Sequence, residues 1–221
     1  MIKIYFFLFL SLMTETFLNQ NPKKVIFFGD SITEAGVNPK GYISILNDML
    51  LKNGQSQNYE LIGSGIGGNK VYDLFFRMER DVLAKKPDIV VIWIGVNDVW
   101  HKSSHGTGTD ADKFGLMYSD IIYRLQNAGI KVYCCTPACI GEKTDHSNQQ
   151  DGDLNEYSKI IRKSASSKGA DIIDIRQRFL DYNIKNNKSN KRSGILTTDG
   201  VHLNETGNKL VAEWMSEQIL Q

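Results

Sequence analysis

The chain has 221 residues, of which 41% are hydrophobic and 23% charged, which is enough to bury the core of one globular domain and little for a second. Lys and Arg number 26 against 25 Asp and Glu, so no net field draws the chain to nucleic acid or to an anionic membrane, and the expected partner is a small molecule held in a pocket. Cys134, Cys135 and Cys139 form an odd set in one short segment, which predicts buried thiols rather than a disulfide framework. The four histidines, His101, His105, His146 and His202, show no metal-type pairing.

At the N-terminus one early lysine, Lys3, precedes an apolar run over residues 4–10 that weakens toward Met13. This resembles a short secretory signal, and the run is too short to anchor the chain across a bilayer. No small-x-small cleavage site follows it, and no cysteine stands where a lipoprotein would be acylated. Residues 1–20 are therefore expected to be a signal peptide or an N-terminal extension. The first implies a secreted or periplasmic protein and the second a cytoplasmic one, with residues 23–221 forming a single domain in either case.

Beyond Pro22, short β-rich runs alternate with longer amphipathic stretches. A strand over 25–28 is followed by a helix over 42–51. A strand over 60–62 precedes a helix over 71–84, where Val71, Leu74, Phe75, Met78 and Val82 recur at helical spacing. Strands over 89–94, 131–135 and 171–175 then alternate with helices over 111–127, 154–167 and 205–220. The strands are mostly continuous Val/Ile runs, as suits strands covered on both faces, and their alternation with helices predicts a doubly wound α/β sheet. Ligands of such sheets lie beyond the carboxyl ends of the strands, so chemistry should follow the strands. Two stretches, 99–110 and 139–153, read as long loops after the third and fourth strands that should rim a pocket.

Three short blocks occupy such positions, and a fourth lies in the loop just before the last helix. The first strand runs into Gly29-Asp30-Ser31-Ile32, where Ser31 can be the cap of the next helix or a nucleophile. The second leads into Gly63-Ser-Gly-Ile-Gly-Gly68-Asn69, where a glycine N–H can face a reacting carbonyl oxygen. This stretch also fits the dinucleotide fingerprint through Gly63, Gly65 and Gly68. It lies after the second strand rather than the first, however, and the acidic residue expected at the end of the following strand is missing, because Asp98 comes too late. The third strand ends in Gly95-Val96-Asn97-Asp98, which can place an Asn side-chain N–H at the sheet edge, or can simply form an Asx turn. The fourth block is Asp199-Gly-Val-His202. Its spacing lets the carboxylate reach the imidazole across one turn and fix its tautomer, although a plain surface turn would read the same.

Taken in order, GDSI, the GGN glycine, GVND and DGVH resemble the blocks of the GDSL or SGNH hydrolase family of serine esterases and acylhydrolases, over nearly all of the chain after the leader. The resemblance implies a three-layer α/β/α sandwich with a flavodoxin-like parallel five-stranded sheet. It carries over Ser31 as nucleophile, His202 as base and Asp199 as its orienter. The Ser31 backbone N–H, Gly68 and Asn97 become oxyanion donors, and no cofactor is required. The second block departs from the family in having Gly63 where an Asn is often found. Asp30 is expected to organise the turn. With Trp100 and His101 it is a weaker candidate for contact with substrate. The expected reaction is hydrolysis of short acyl esters, acetyl above all, with acetylated glycan as the substrate class, because 102–112 and 141–153 are almost wholly polar and offer little grip on an acyl tail. The alternatives are a lysophospholipase or thioesterase, an acyltransferase using the same acyl-enzyme, and a noncatalytic glycan-binding relative. The oligomeric state is not legible.

Overall fold

The computed structural model describes residues 21–220; the leader expected over 1–20 lies outside them. The described residues build five strands, β1 (Lys23–Gly29), β2 (Tyr59–Gly65), β3 (Ile89–Trp93), β4 (Lys131–Cys135) and β5 (Asp171–Ile173), into one parallel sheet of order β2-β1-β3-β4-β5. Helices α1 (Ser31–Gly36), α2 (Tyr42–Lys52), α3 (Val71–Asp81), α4 (Val96–Ser104), α5 (Ala111–Asn127), α6 (Asp151–Lys168), α7 (Ile175–Asn186) and α8 (Glu205–Ile219) cover it. α2 packs against α8 on one face, and α3, α5 and α6 pack in succession on the other, giving a three-layer α/β/α arrangement.

β3 is buried throughout, and β1 from Val25 onward, because both faces of the sheet are covered. Val25, Ile26, Phe27, Phe28 and all five residues of β3 are at most 6% exposed. Phe27 meets the Tyr42 ring edge-on at 5.8 Å, and Tyr42 meets Trp93 at 5.5 Å, so a T-shaped aromatic column ties α2 to the centre of the sheet. Truncating Phe27 to alanine would cost about 3–5 kcal/mol, from lost transfer energy and the cavity left behind. The three cysteines are free and buried on β4 and the turn beyond it.

The order of the sheet puts the switch in chain direction at β1 and β3. In register, Gly29 pairs with Gly65 on one side and Trp93 on the other, so β1, β2 and β3 end at one level. Asp30 and Ser31, the segment from Ile66 to Asn69, and Gly95 to Asn97 consequently emerge side by side, in the crevice where such sheets bind ligands.

Three differences from the sequence reading have physical causes. The stretch from Val99 to Ser104 is helical, as part of α4, not loop. Its first turn buries Asn97 and Asp98 beside Val96 and Val99, so no apolar stripe marks it. α7 was not visible because its buried side includes Arg176 and Asn183 with Ile175 and Phe179. It also shortens β5, since Asp174 caps α7 by accepting from the Gln177 N–H at 3.3 Å. The segment 139–150 is irregular, but Cys139, Ile140, Gly141 and Glu142 are buried and do not form rim.

Candidate active site

Ser31 is the first residue of α1, and its neighbour Asp30, not Ser31 itself, is the cap. Asp30 Oδ1 accepts from the Ile32 N–H at 3.0 Å while its carbonyl accepts from the Glu34 N–H at 2.9 Å. With the turn fixed in this way, the Ser31 side chain is left free to face the crevice. Its Oγ lies 2.9 Å from His202 Nε2.

His202 comes from the irregular segment between α7 and α8. Asp199 Oδ2 lies 2.7 Å from His202 Nδ1, and Asp199 Oδ1 accepts from the backbone N–H groups of Val201 and His202 at 2.9 and 2.8 Å. One carboxylate thus holds both the ring and the main chain of its partner. Partial burial works to raise the Asp199 carboxyl, but the hydrogen bonds from the His202 ring and from the two N–H groups outweigh it and hold the group below its ordinary value. An ionised carboxylate only accepts, so the proton sits on Nδ1 and the Nε2 lone pair faces the Ser31 hydroxyl.

On the other side of Ser31 lies the glycine segment. A Cβ on Gly65 would collide with the Glu34 backbone nitrogen, so this glycine lets β2's exit wrap tightly against the start of α1. Gly68 has φ +76°, in the left-handed region, and its carbonyl accepts from Lys70 Nζ at 3.2 Å. Asn97, on the first turn of α4, is 2% exposed and donates one side-chain N–H to the Asn69 carbonyl at 3.1 Å, which fixes the direction of its amide.

Two buried carboxyls stand behind this wall. Burial pushes Asp30 up to about 7, reinforced by the charge of Asp98 and opposed by the Ile32 N–H and by His202. Asp98 accepts from the Val71 N–H at 3.1 and 3.3 Å, tying the start of α4 to the start of α3. Burial raises it to about 6, against the Thr109 hydroxyl and the Val71 N–H.

Trp100 and His101 lie at the edge of the crevice. The Trp100 ring meets His202 edge-on at 6.3 Å, and His101 packs against His105 at 4.4 Å. His101 Cε1 lies 3.9 Å from the point a Cβ on Gly68 would occupy. Burial lowers the His101 pKa, helped by the nearby charges of Lys70 and His105. The segment 143–150 runs alongside, since Gln150 Nε2 donates to the Val99 carbonyl and to Ser103 Oγ, each at 3.1 Å. Among the described residues no cluster of three or more His, Cys, Asp or Glu side chains is arranged to hold a metal ion, and no helix is long and apolar enough to cross a membrane.

Sequence reasoning missed Arg77. Its guanidinium donates to the Gly29 carbonyl at 2.7 Å, the Ser64 carbonyl at 3.0 Å, Ser64 Oγ at 3.2 Å and Asn69 Oδ1 at 2.8 Å, and it pairs with Asp81 at 3.0 Å. The available signal was a charge on the buried side of α3, next to Leu74 and Met78.

The family model of the GDSL-like lipase/acylhydrolase family matches residues 27–210, and this chain belongs to that family. The protein is accordingly an enzyme of carboxylic ester bonds. A solved acetyl xylan esterase, AlAXEase, is 61% identical with a TM-score of 0.88, over 89% of this chain and 99% of that one. The acetylxylan esterase of Geobacillus stearothermophilus is 25% identical over 218 residues, covering 89% of this chain and 94% of its own length. The uncharacterized lipoprotein YqeF of Bacillus subtilis (strain 168) is 26% identical over 222 residues, covering 89% and 90%.

Proposed function

We propose that the protein is a serine esterase that releases acetate from O-acetylated carbohydrate through an acetyl-enzyme on Ser31. The observation that carries this reading is the continuous Ser31–His202–Asp199 hydrogen-bond chain, in a member of this family 61% identical to a protein described as an acetyl xylan esterase. In the proposed cycle His202 Nε2 takes the Ser31 proton as Oγ attacks the acetyl carbonyl carbon. The resulting oxyanion is received by the Ser31 and Gly68 backbone N–H groups and by the second N–H of the Asn97 amide. The sugar oxygen departs with the proton from His202. Water, deprotonated by the same imidazole, then attacks the acyl carbon, Ser31 recovers its proton, and acetate is released. Asp199 holds the imidazole in its tautomer and stabilises the imidazolium.

A carbohydrate leaving group is supported by the edge of the site. Trp100 and His101 give flat rings beside His202 and Gly68, and the bordering segment 143–150 is polar. Each methylene of a longer acyl chain would gain about 0.8 kcal/mol only where apolar surface buries it, and a polar border offers little of that. Export from the cytoplasm is supported by the apolar run at residues 4–10 and by the name lipoprotein of the Bacillus subtilis relative.

The test is kcat/KM across p-nitrophenyl esters of two to twelve carbons, each below its micelle concentration, with acetate release from acetylated xylo-oligosaccharides in parallel. A decline from acetyl onward together with sugar deacetylation is expected. A rise toward the long esters would move the enzyme to lipid or thioester substrates, and acetyl transfer to added glycerol in place of hydrolysis would make it a transferase.

A further inference from the structure

The segment that carries Asp199 and His202 has almost no regular structure of its own. Between α7 and α8 its only ladder contact among the described residues is the isolated bridge of Thr197 with Leu203. A catalytic pair mounted on such a segment needs an external support, and the structure shows one in Glu142.

Glu142 is 1% exposed. Its Oε2 accepts from the Ile195 N–H at 2.9 Å, and its Oε1 accepts from the N–H groups of Leu196 and Thr197 at 2.6 and 2.8 Å. Three successive peptide units therefore converge on one carboxylate, as backbone does around a bound anion. The main chain is closed on both sides of this contact: the Glu142 N–H donates to the Arg192 carbonyl at 2.9 Å, and the Gly141 N–H to the Gly200 carbonyl at 2.8 Å. Asn187 Nδ2 in turn donates to the Glu142 carbonyl at 2.7 Å. Burying a carboxylate costs several kcal/mol unless donors surround it, so a buried acid satisfied by one stretch of backbone dictates the path of that stretch. Thr197 stands two residues before Asp199, and its hydroxyl accepts from the Gly200 N–H at 3.0 Å, which carries the restraint into the turn that ends in His202.

We infer that Glu142 is a positioning residue of this enzyme: its carboxylate sets the backbone of Ile195 to Thr197 and thereby the reach of His202 to Ser31. The inference rests on the proposed roles of Ser31, His202 and Asp199. Glu142 itself touches neither substrate nor reacting atoms.

Glu142→Gln keeps the shape but turns an N–H₂ toward backbone donors. With p-nitrophenyl acetate, at a temperature where near-UV circular dichroism matches the wild type, kcat is expected to fall between about ten-fold and a hundred-fold while KM stays within about two-fold. The downfield proton resonance of the His202 Nδ1–H, read in resting enzyme, is expected to shift or vanish, and Glu142→Asp, which restores the carboxylate, to recover part of kcat. A folded Glu142→Gln enzyme with kcat within about two-fold of wild type and an unmoved resonance overturns the inference. Should that variant be insoluble, Glu142→Asp decides by the same two readouts, its shorter arm predicting a several-fold loss of kcat at constant KM. Ser31→Ala separates the two levels. Activity surviving in Ser31→Ala would sink the proposed mechanism, whereas an inactive Ser31→Ala beside a fully active Glu142→Gln sinks the positioning role alone.

Discussion

Arg77 donates from Nε to Asn69 Oδ1 at 2.8 Å, and the carbonyl of the same Asn69 receives the Asn97 side-chain N–H at 3.1 Å. A guanidinium deep in α3 is in this way connected through one asparagine to a proposed oxyanion donor on α4. The same group binds the last carbonyl of β1 and the carbonyl of Ser64 on β2. Only a planar fork of donors serves so many acceptors at once.

Arg77→Lys keeps the charge and loses the fork. It is expected to cost about 3 kcal/mol of stability, because buried carbonyls and Asp81 are left underserved, and to lower kcat more than it changes KM. Urea denaturation and steady-state kinetics on one preparation check both. A lysine variant of unchanged stability would show that other groups satisfy these carbonyls.

Ser31→Ala is expected to fold normally and to lose at least about three orders of magnitude in kcat/KM, since it removes the hydroxyl that faces His202 Nε2. A labelled fluorophosphonate should mark Ser31 in the wild type and leave the variant unmarked. Mass spectrometry of the labelled peptide identifies the site.

Asn97→Ala and Asp199→Asn separate two parts of the proposed cycle. Loss of one oxyanion donor is expected to lower kcat by about 10²–10³ with little change in KM. Asp199→Asn presents an amide that can no longer hold the Nδ1–H tautomer, and the expected loss is on the order of 10⁴. An Asn97→Ala enzyme changed only in KM would make that residue a contact to bound substrate instead.

Asp30 makes a prediction about stability and pH. Burial, foremost, lifts its carboxyl from the ordinary 3.8 to about 7, so between these values the folded chain holds a proton that the unfolded chain has released. Stability from this group is therefore lost as pH rises from about 4 to about 7. Asp30→Asn keeps an acceptor for the Ile32 N–H and removes the titration. Across that interval it should gain on the wild type by on the order of a few kcal/mol, read from urea midpoints at each pH. Parallel curves for the two proteins would contradict the assignment.

The positions of the strands were legible because β3 and the stretches Val25 to Phe28 of β1 and Val132 to Cys135 of β4 are unbroken runs of β-branched, aromatic and sulfur-bearing residues, and a sheet covered on both faces leaves no polar alternation to mislead. α4 and α7 were not legible, because each buries polar side chains: Asn97 and Asp98 in one, Arg176 and Asn183 in the other. At the site, Ser31 and Asn97 could be named from short blocks at strand exits, and Asp199 and His202 from the block before the last helix; the structure brings the serine, the histidine and the aspartate into one hydrogen-bond chain. The groups behind them could not. Arg77 and Glu142 act on backbone atoms distant in sequence, and no local spacing announces such contacts.

The cysteines give the molecule its own clock. Burial pushes the Cys134 thiol up to about 12 and the Cys135 and Cys139 thiols well above their usual range, so none offers a thiolate to an alkylating reagent while the sheet is closed. Cys139 also donates from Sγ to the Gly200 carbonyl at 3.4 Å, inside the turn between Asp199 and His202. Its modification therefore counts the moments when that turn lifts away, whereas modification of Cys134 and Cys135 counts those when β4 itself comes apart. Two rates of reaction with one maleimide, assigned by peptide mapping, separate the breathing of the turn between Asp199 and His202 from the unfolding of the protein beneath it.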